Sequence, residues 1–238
     1  MTFEDMRDFE RDVSGYVELD EHADADGIYT ISSIYMDNDA LDCYYETING
    51  AYFRQKVRLR VYGEKNDENA RAYLEIKGKI NGLVVKRRVE MVLRDAMAFI
   101  DDCVKNGYDF DISAYKSTNE QILKELRHVI ASKKLKNVNV VSYERRPYVS
   151  KDDPDLRITF DCNIRTRGDE LDLTKGTGGK LRCPENIAIL EVKTSKNIPL
   201  WLTKILSDYG YKNQTFSKYC SHYAPNKIIL GERKNKDE

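Results

Sequence analysis

Residues 52–63 read YFRQKVRLRVYG, with Arg54, Lys56, Arg58 and Arg60 at every second position. Phe53, Val57, Leu59 and Val61 fill most of the places between. Side chains two apart on a strand share a face, so this spacing predicts a strand with one apolar face and one face of four cations. Like charges held that close repel. Whatever this chain folds into must place something opposite them.

The alternation recurs along the chain. Tyr73, Glu75, Lys77 and Lys79 share a parity against Leu74, Ile76 and Ile80. Lys86, Arg88 and Glu90 stand against Val85, Val89 and Met91, and Arg157, Thr159 and Asp161 against Leu156, Ile158 and Phe160. Tyr143 shares a parity with Arg145, as Glu191 does with Lys193, opposite Leu190 and Val192. These polar faces hold eleven cations: Arg54, Lys56, Arg58, Arg60, Lys77, Lys79, Lys86, Arg88, Arg145, Arg157 and Lys193. They hold four carboxylates, Glu75, Glu90, Asp161 and Glu191. The balance is +7, so the remainder must carry −8 to reach the chain's net charge of −1. One wet strand face is ordinary. This segregation across separate strands points to a concentrated positive surface.

Two geometries deliver such a surface. One is an open basic plate, as for nucleic acid. The other is an antiparallel β-barrel tunnel with a basic lumen and helices packed against its apolar outside. Cations crowded into a low-dielectric wall repel by about 4 kcal/mol per unit pair at ~4 Å and an effective dielectric of ~20, unless an anion enters. A chain of phosphates gripped by arginine forks suits the tunnel. Nucleic acid is disfavoured, because Tyr35, Tyr73 and Tyr143 are scattered over separate strands and no RNA-recognition motif occurs. No Walker loop occurs either. KGTGGK at 175–180 lies in a loop without strand–helix context.

The other chemistries are thinly represented. His22, His128 and His222 do not pair with ligands at metal-site spacing, which disfavours zinc and histidine catalysis. A metal held by oxygen ligands stays open. Cys43, Cys103, Cys162, Cys183 and Cys220 are odd in number, widely spaced and form no CxxC, so reduced, structural thiols in a cytoplasmic setting are expected. No apolar run approaches the roughly 20 residues of a membrane span. The acidic, amphipathic opening MTFEDMRDFERD does not resemble a secretory signal.

The 238 residues contain no repeat or linker that divides them, so one α+β domain over 1–238 is expected. Helices are predicted at 2–14 (capped by Thr2), from the end of the 83–92 strand to about Lys105, at 117–130 and from Pro199 through Leu206. Ser117 and Glu120 form a capping-box pattern for the third, and Ile122, Leu123, Leu126, Val129 and Ile130 make its stripe. Strands are predicted at 28–38, 52–63, 71–80, 83–92, 137–146, 156–164 and 187–194, with a tight hairpin at Asn81-Gly82. Residues 20–27 and 169–186 read as loops, the second mobile because of Gly176, Gly178 and Gly179. The tail 231–238 reads as disordered.

Nine short motifs occur in an order that carries a family resemblance: SIYMDN (33–38), KVRLRVYG (56–63), LEIKGK (74–79), VKRR (85–88), YERRPY (143–148), LRITFD (156–161), LEVK (190–193), PLWL (199–202) and FSKY (216–219). Over about 28–223 the chain resembles the VTC (vacuolar transporter chaperone) domain of polyphosphate polymerases, within the triphosphate tunnel metalloenzyme superfamily. The resemblance implies a tunnel that takes ATP, pyrophosphate and polyphosphate and moves the γ-phosphate of ATP onto a polyphosphate chain. The metal would be Mn2+ or Mg2+. By motif, Arg58, Arg60, Lys77, Lys86, Tyr143, Arg145, Arg157, Ser217 and Lys218 would contact phosphate, Glu191 would bind the metal, and Lys193 would lie beside it. The bland alternatives are a salt bridge for Glu191, solvent for Lys218 and simple packing for Tyr143. The resemblance also implies a membrane-protein partner, with no membrane segment in this chain. It departs at the front, where the family's RxExKY strand is replaced by residues 1–27, a helix and loop. A wall short of one strand leaves two alternatives to polymerisation: a tunnel triphosphatase, or a non-catalytic module that binds polyphosphate or nucleotide.

Overall fold

A computed structural model of the chain describes residues 1–225 and 228–231. Among the described residues nine strands join in one antiparallel sheet: β1 Val17–Leu19, β2 Tyr29–Asp37, β3 Phe53–Tyr62, β4 Arg71–Ile80, β5 Leu83–Val92, β6 Lys136–Ser150, β7 Arg157–Arg167, β8 Lys180–Leu181 and β9 Ile189–Lys193. The order is β5-β4-β3-β2-β6-β7-β8, with β1 beside β6 and β9 beside β7. Cross-strand partners share a face, so the register tests the parity reading. Arg58 lies opposite Tyr35 on one side and Glu75 on the other, and Glu75 opposite Arg88. Lys77 lies between Lys56 and Lys86. Arg145 faces Asp161, Thr159 faces Glu191 and Arg157 faces Lys193. The polar positions of separate strands therefore form one continuous face.

The opposite face is the core. Val57, Leu59, Leu74 and Val89 pack with Phe99 and Ile100 of helix α3 (Leu93–Asn106) and with Leu123, Leu126 and Ile130 of α4 (Glu120–Ser132). (Helices α1, α2 and α5 are Phe3–Val13, Asp42–Ile48 and Leu200–Asp208.) A second cluster joins Ile158 and Phe160 to Phe9 and Val13 of α1 and to Leu202 of α5. The helices thus cover the apolar side, as the alternation requires. Thr2 caps α1 by accepting from the amide of Asp5, and Pro199 precedes the first turn of α5. Helix α4 departs from expectation: its cap is Asn119, which accepts from the amide of Ile122, in place of the Ser117/Glu120 box. Thr118 is occupied elsewhere, since its hydroxyl accepts from the amide of Glu90.

The expected barrel is corrected. Among the described strands β5 pairs only with β4, and β9 only with β7. β9 has five residues and β8 two, too few backbone groups to ladder along the ten of β5. The sheet remains open and its basic face lines a trough. Lys77 of β4 and Lys193 of β9 nevertheless line the same cavity, so the sheet's two flanks curl toward one another.

The glycine-rich stretch expected as a mobile loop is wrapped around one guanidinium. Arg167 donates to the carbonyls of Glu170, Asp172, Gly176 and Gly178. Gly179 passes so close to Thr166 that a Cβ would meet its carbonyl oxygen at 2.6 Å. All five cysteines are unpaired, and burial pushes the thiols of Cys43, Cys103 and Cys162 up to about 12. His128 sits on the exposed side of α4 beside the Tyr108 hydroxyl. Among the described residues no helix is long and apolar enough to cross a membrane. The tail expected to be disordered lies outside the described residues beyond Gly231.

Candidate functional site

A cavity of about 360 Å³ opens on the polar face between β3, β4, β6, β9 and the segment 215–219. Nine cations line it: Arg54, Lys56, Arg58, Arg60, Lys77, Lys79, Arg145, Lys193 and Lys218. Glu191 is the carboxylate on the lining, beside Tyr35, Tyr143, Ser217 and Tyr219. Among the described residues Arg54, Lys56, Arg60, Lys77 and Lys79 have no salt-bridge partner.

Two buried carboxylates stand behind the wall and aim its arginines. Glu75 receives Arg58 Nε at 2.5 Å and Lys86 Nζ at 2.7 Å. Arg58 also donates to the Tyr35 hydroxyl at 3.2 Å. Asp161 receives a fork from Arg145, at 2.6 and 2.8 Å, and Lys218 Nζ at 2.5 Å. Burial alone would raise Glu75, yet Arg58, Arg60 and Lys86 outweigh it and hold the carboxyl down to about 2. Asp161 is likewise pushed up by burial and pulled below its ordinary value by Lys218 and Arg145. Both stay ionised, which a buried charge does only when paired.

The remaining groups show a surplus of positive charge. Burial raises Tyr35, but Arg58, Arg60 and Lys56 prevail and bring its hydroxyl down to about 8. Burial and the neighbouring Arg58 lower Lys77 below the usual lysine range. Arg60 donates to the hydroxyls of Ser33 and Tyr143, at 3.2 and 3.3 Å, neither of which cancels its charge. A β-bulge in β6 between Ser142 and Glu144 sets Tyr143 at the irregularity, where its ring lies under Lys218 Nζ at 4.8 Å and the Arg145 guanidinium at 5.4 Å.

The fold brings together Arg58, Arg60, Lys77, Tyr143, Arg145, Glu191, Lys193, Ser217 and Lys218 of the residues singled out from sequence. Two stand apart from the lining. Lys86 lies on the same polar face, on β5 beyond the lining, where it pairs with Glu75. Arg157 has the right parity but begins β7, where it faces Asp20 at 3.7 Å with 58% of its side chain exposed. Lys218 is buried on Asp161, contrary to the solvated alternative, whereas Glu191 does carry salt bridges, to Lys193 at 3.1 Å and Arg145 at 3.2 Å. Ser217 accepts from the amide of Cys220 and so shapes the turn that follows.

Some lining residues were outside the sequence-derived set. Arg54, Lys56 and Lys79 carried a usable signal, their parity. Thr47 carried none, because α2 has no evident start signal: Leu41 before it is left-handed (φ 55), and the amides of Cys43 and Tyr44 donate to Asp37 of β2. Tyr219 also donates to Asp37, which fixes the end of the 215–219 segment against the sheet.

Among the described residues no cluster of three His, Cys, Asp or Glu side chains forms a metal cage. Glu75 and Asp161 are fully buried and committed to cations. The donor set fits a hard cation in one way, with Glu191 as a single protein carboxylate and the other oxygens supplied by a ligand's phosphates.

A helix-backed antiparallel sheet whose polar face collects lysines and arginines from separate strands around one cavity defines the triphosphate-tunnel class of fold, here with an open side. The VTC domain profile matches residues 2–225, and the chain belongs to the VTC domain family. The match takes in α1 and β1, which precede the motifs that carry the resemblance. Among solved structures, the chain is similar to a Bacillus halodurans protein assigned as an adenylate cyclase. The two share 12% identity over 92% of this chain and 91% of that one, with a TM-score of 0.50, a likeness of fold alone. No curated protein matches the chain.

Proposed function

We propose that the cavity binds a chain of phosphates and that the protein is a polyphosphate polymerase-type phosphotransferase, in which a terminal polyphosphate oxygen takes the γ-phosphoryl group of ATP as the β–γ anhydride bond breaks and ADP leaves. The observation that supports this reading is the convergence of nine cations from five separate segments on one cavity, five of them without a salt-bridge partner among the described residues. Arg58 and Arg60 grip phosphate oxygens from β3, with Lys77 beside them on β4. Arg145, Lys193 and Lys218 complete the opposite flank, and Tyr143 offers a hydroxyl between the two. Lys86 acts from beside the lining by holding Glu75, which orients Arg58. Arg157 is left to steer anions at the rim.

Phosphoryl transfer asks a protein mainly for positioning and charge neutralisation. The acceptor is already an anionic oxygen, so no general base is required, and none of the three histidines lines the cavity. Glu191, together with the ligand's own phosphates, would hold Mn2+ or Mg2+, which would supply further charge neutralisation.

The test is incubation with ATP, Mn2+ and a pyrophosphate primer, with products resolved on a gel. A phosphate ladder is the expected result. Free phosphate without a ladder replaces the reading with a triphosphatase, and bound but unchanged ATP replaces it with a non-catalytic module. Arg58→Ala removes a preorganised donor and is expected to lower turnover by about 100-fold or more. Undiminished turnover in that variant would move the reaction away from this cavity.

A further inference from the structure

The tip of the β4–β5 hairpin takes no part in the wall just described, apart from its inner edge. Residues 80–88 are exposed without interruption, on both faces of the strand; Arg87 reaches a covering helix by an ion pair, to Glu125 of α4 at 2.9 Å, and the flank of Ile80 and Val85 borders an open groove beside that helix. Leu83 is 74% exposed, Val84 57%, Val85 49% and Ile80 43%. Asn81 (φ 48) and Gly82 (φ 83) turn the chain in two residues, so the tip is narrow. Four aliphatic side chains at the end of an edge strand are what folded proteins ordinarily blunt with charge or cover.

The charge pattern around the tip identifies what complements it. Between Glu75 and Glu90 the sequence holds Lys77, Lys79, Lys86, Arg87 and Arg88 and no carboxylate; Lys86 pairs with Glu75 and Arg87 with Glu125, which leaves Lys77, Lys79 and Arg88 without a salt-bridge partner among the described residues. An apolar wedge with a basic collar matches the two layers of a lipid surface, aliphatic side chains at the acyl boundary and cations among anionic headgroups. A free polyanion would satisfy the collar and leave the wedge in water.

We propose that this hairpin tip docks on an anionic lipid surface. Leu83, Val85 and Arg88 do not line the phosphate cavity, so the apolar wedge is testable apart from the phosphate reading, while Lys77 and Lys79 belong to both. Val84 and Lys79 do line it, so docking brings the cavity mouth to the headgroup layer.

The test is co-flotation of the full chain with vesicles of phosphatidylcholine alone and of equal parts phosphatidylcholine and phosphatidylglycerol. Binding to the mixed vesicles only is expected, weakening about fivefold for each basic charge removed. Leu83→Asp with Val84→Asp is expected to lower binding at least about tenfold. A Leu83→Trp variant keeps the test independent of those charges. Its emission should be quenched by brominated lipid well beyond that of the chain's single native tryptophan, Trp201. Absence of binding, equal binding to both vesicles, or mixed-vesicle binding that survives the double substitution overturns the proposal. So does a solution dimer that Leu83→Asp dissolves, which assigns the tip to a second copy.

Discussion

The two flanks of the trough are built on the same device and use it differently. Each holds a fully buried carboxylate between an arginine and a lysine: Glu75 with Arg58 and Lys86, Asp161 with Arg145 and Lys218. On the Glu75 flank all three partners lie on neighbouring strands, and Lys86 keeps 45% of its side chain in solvent. On the Asp161 flank both cations are nearly buried, and Lys218 comes from outside the sheet. Glu75 therefore aims a strand residue, whereas Asp161 also ties the 215–219 segment down over the cavity. A buried carboxylate can orient a ligand-gripping arginine and fasten a piece of wall with the same two oxygens.

The sharpest way to break the comparison is Asp161→Asn. It leaves Lys218 buried without its counter-charge and Arg145 with Glu191 alone, which is expected to cost about 3–5 kcal/mol in a denaturant titration. Phosphate affinity should fall with it as the segment loosens. A drop no larger than that of an exposed substitution would show that Asp161 does not hold the segment.

Next in size is the acid response of the other flank. Glu75 titrates near 4.5 in the unfolded chain and is held down to about 2 in the fold. At about 1.4 kcal/mol per tenfold change in proton affinity, its ionisation contributes about 3 kcal/mol at neutral pH. Because the folded value is the lower one, this contribution is complete above about pH 4.5 and disappears as pH falls toward 2. Glu75→Gln should be less stable than the parent at pH 7, and the gap should close on acidification. Parallel stability curves from pH 7 to 2 would remove Glu75 from this role.

The smallest effect concerns the charge surplus. Tyr35 loses its proton near pH 8, and a tyrosinate on the cavity wall repels phosphate. Tripolyphosphate affinity should therefore weaken several-fold as pH rises through about 8, read by calorimetry. Tyr35→Phe should flatten that step. A step of equal size in the variant would assign it to the amines of the wall.

Parity made much of this legible in the sequence. Arg54 to Arg60, Lys77, Lys79 and Glu191 were all placed on the correct face, because a period of two survives any curvature of the sheet. The Asn81-Gly82 turn and the apolar stripe of α4 were equally local signals. Parity does not say how far along a strand the cavity lies, so it could not exclude Arg157, which the LRITFD motif suggested and which stands outside the lining. Closure was illegible for a related reason: it depends on whether two distant edges have enough residues to pair. Helix α2 was hidden because its amides are satisfied by Asp37, a partner supplied by a strand.

Asp37 carries one more consequence. It fastens two parts of the cavity lining that belong to distant stretches of chain, the start of α2 leading to Thr47 and the ring of Tyr219. Loss of that one carboxylate would therefore untie both stretches together without removing a single cation from the trough. The anchor of the wall is an acid that the cavity never exposes.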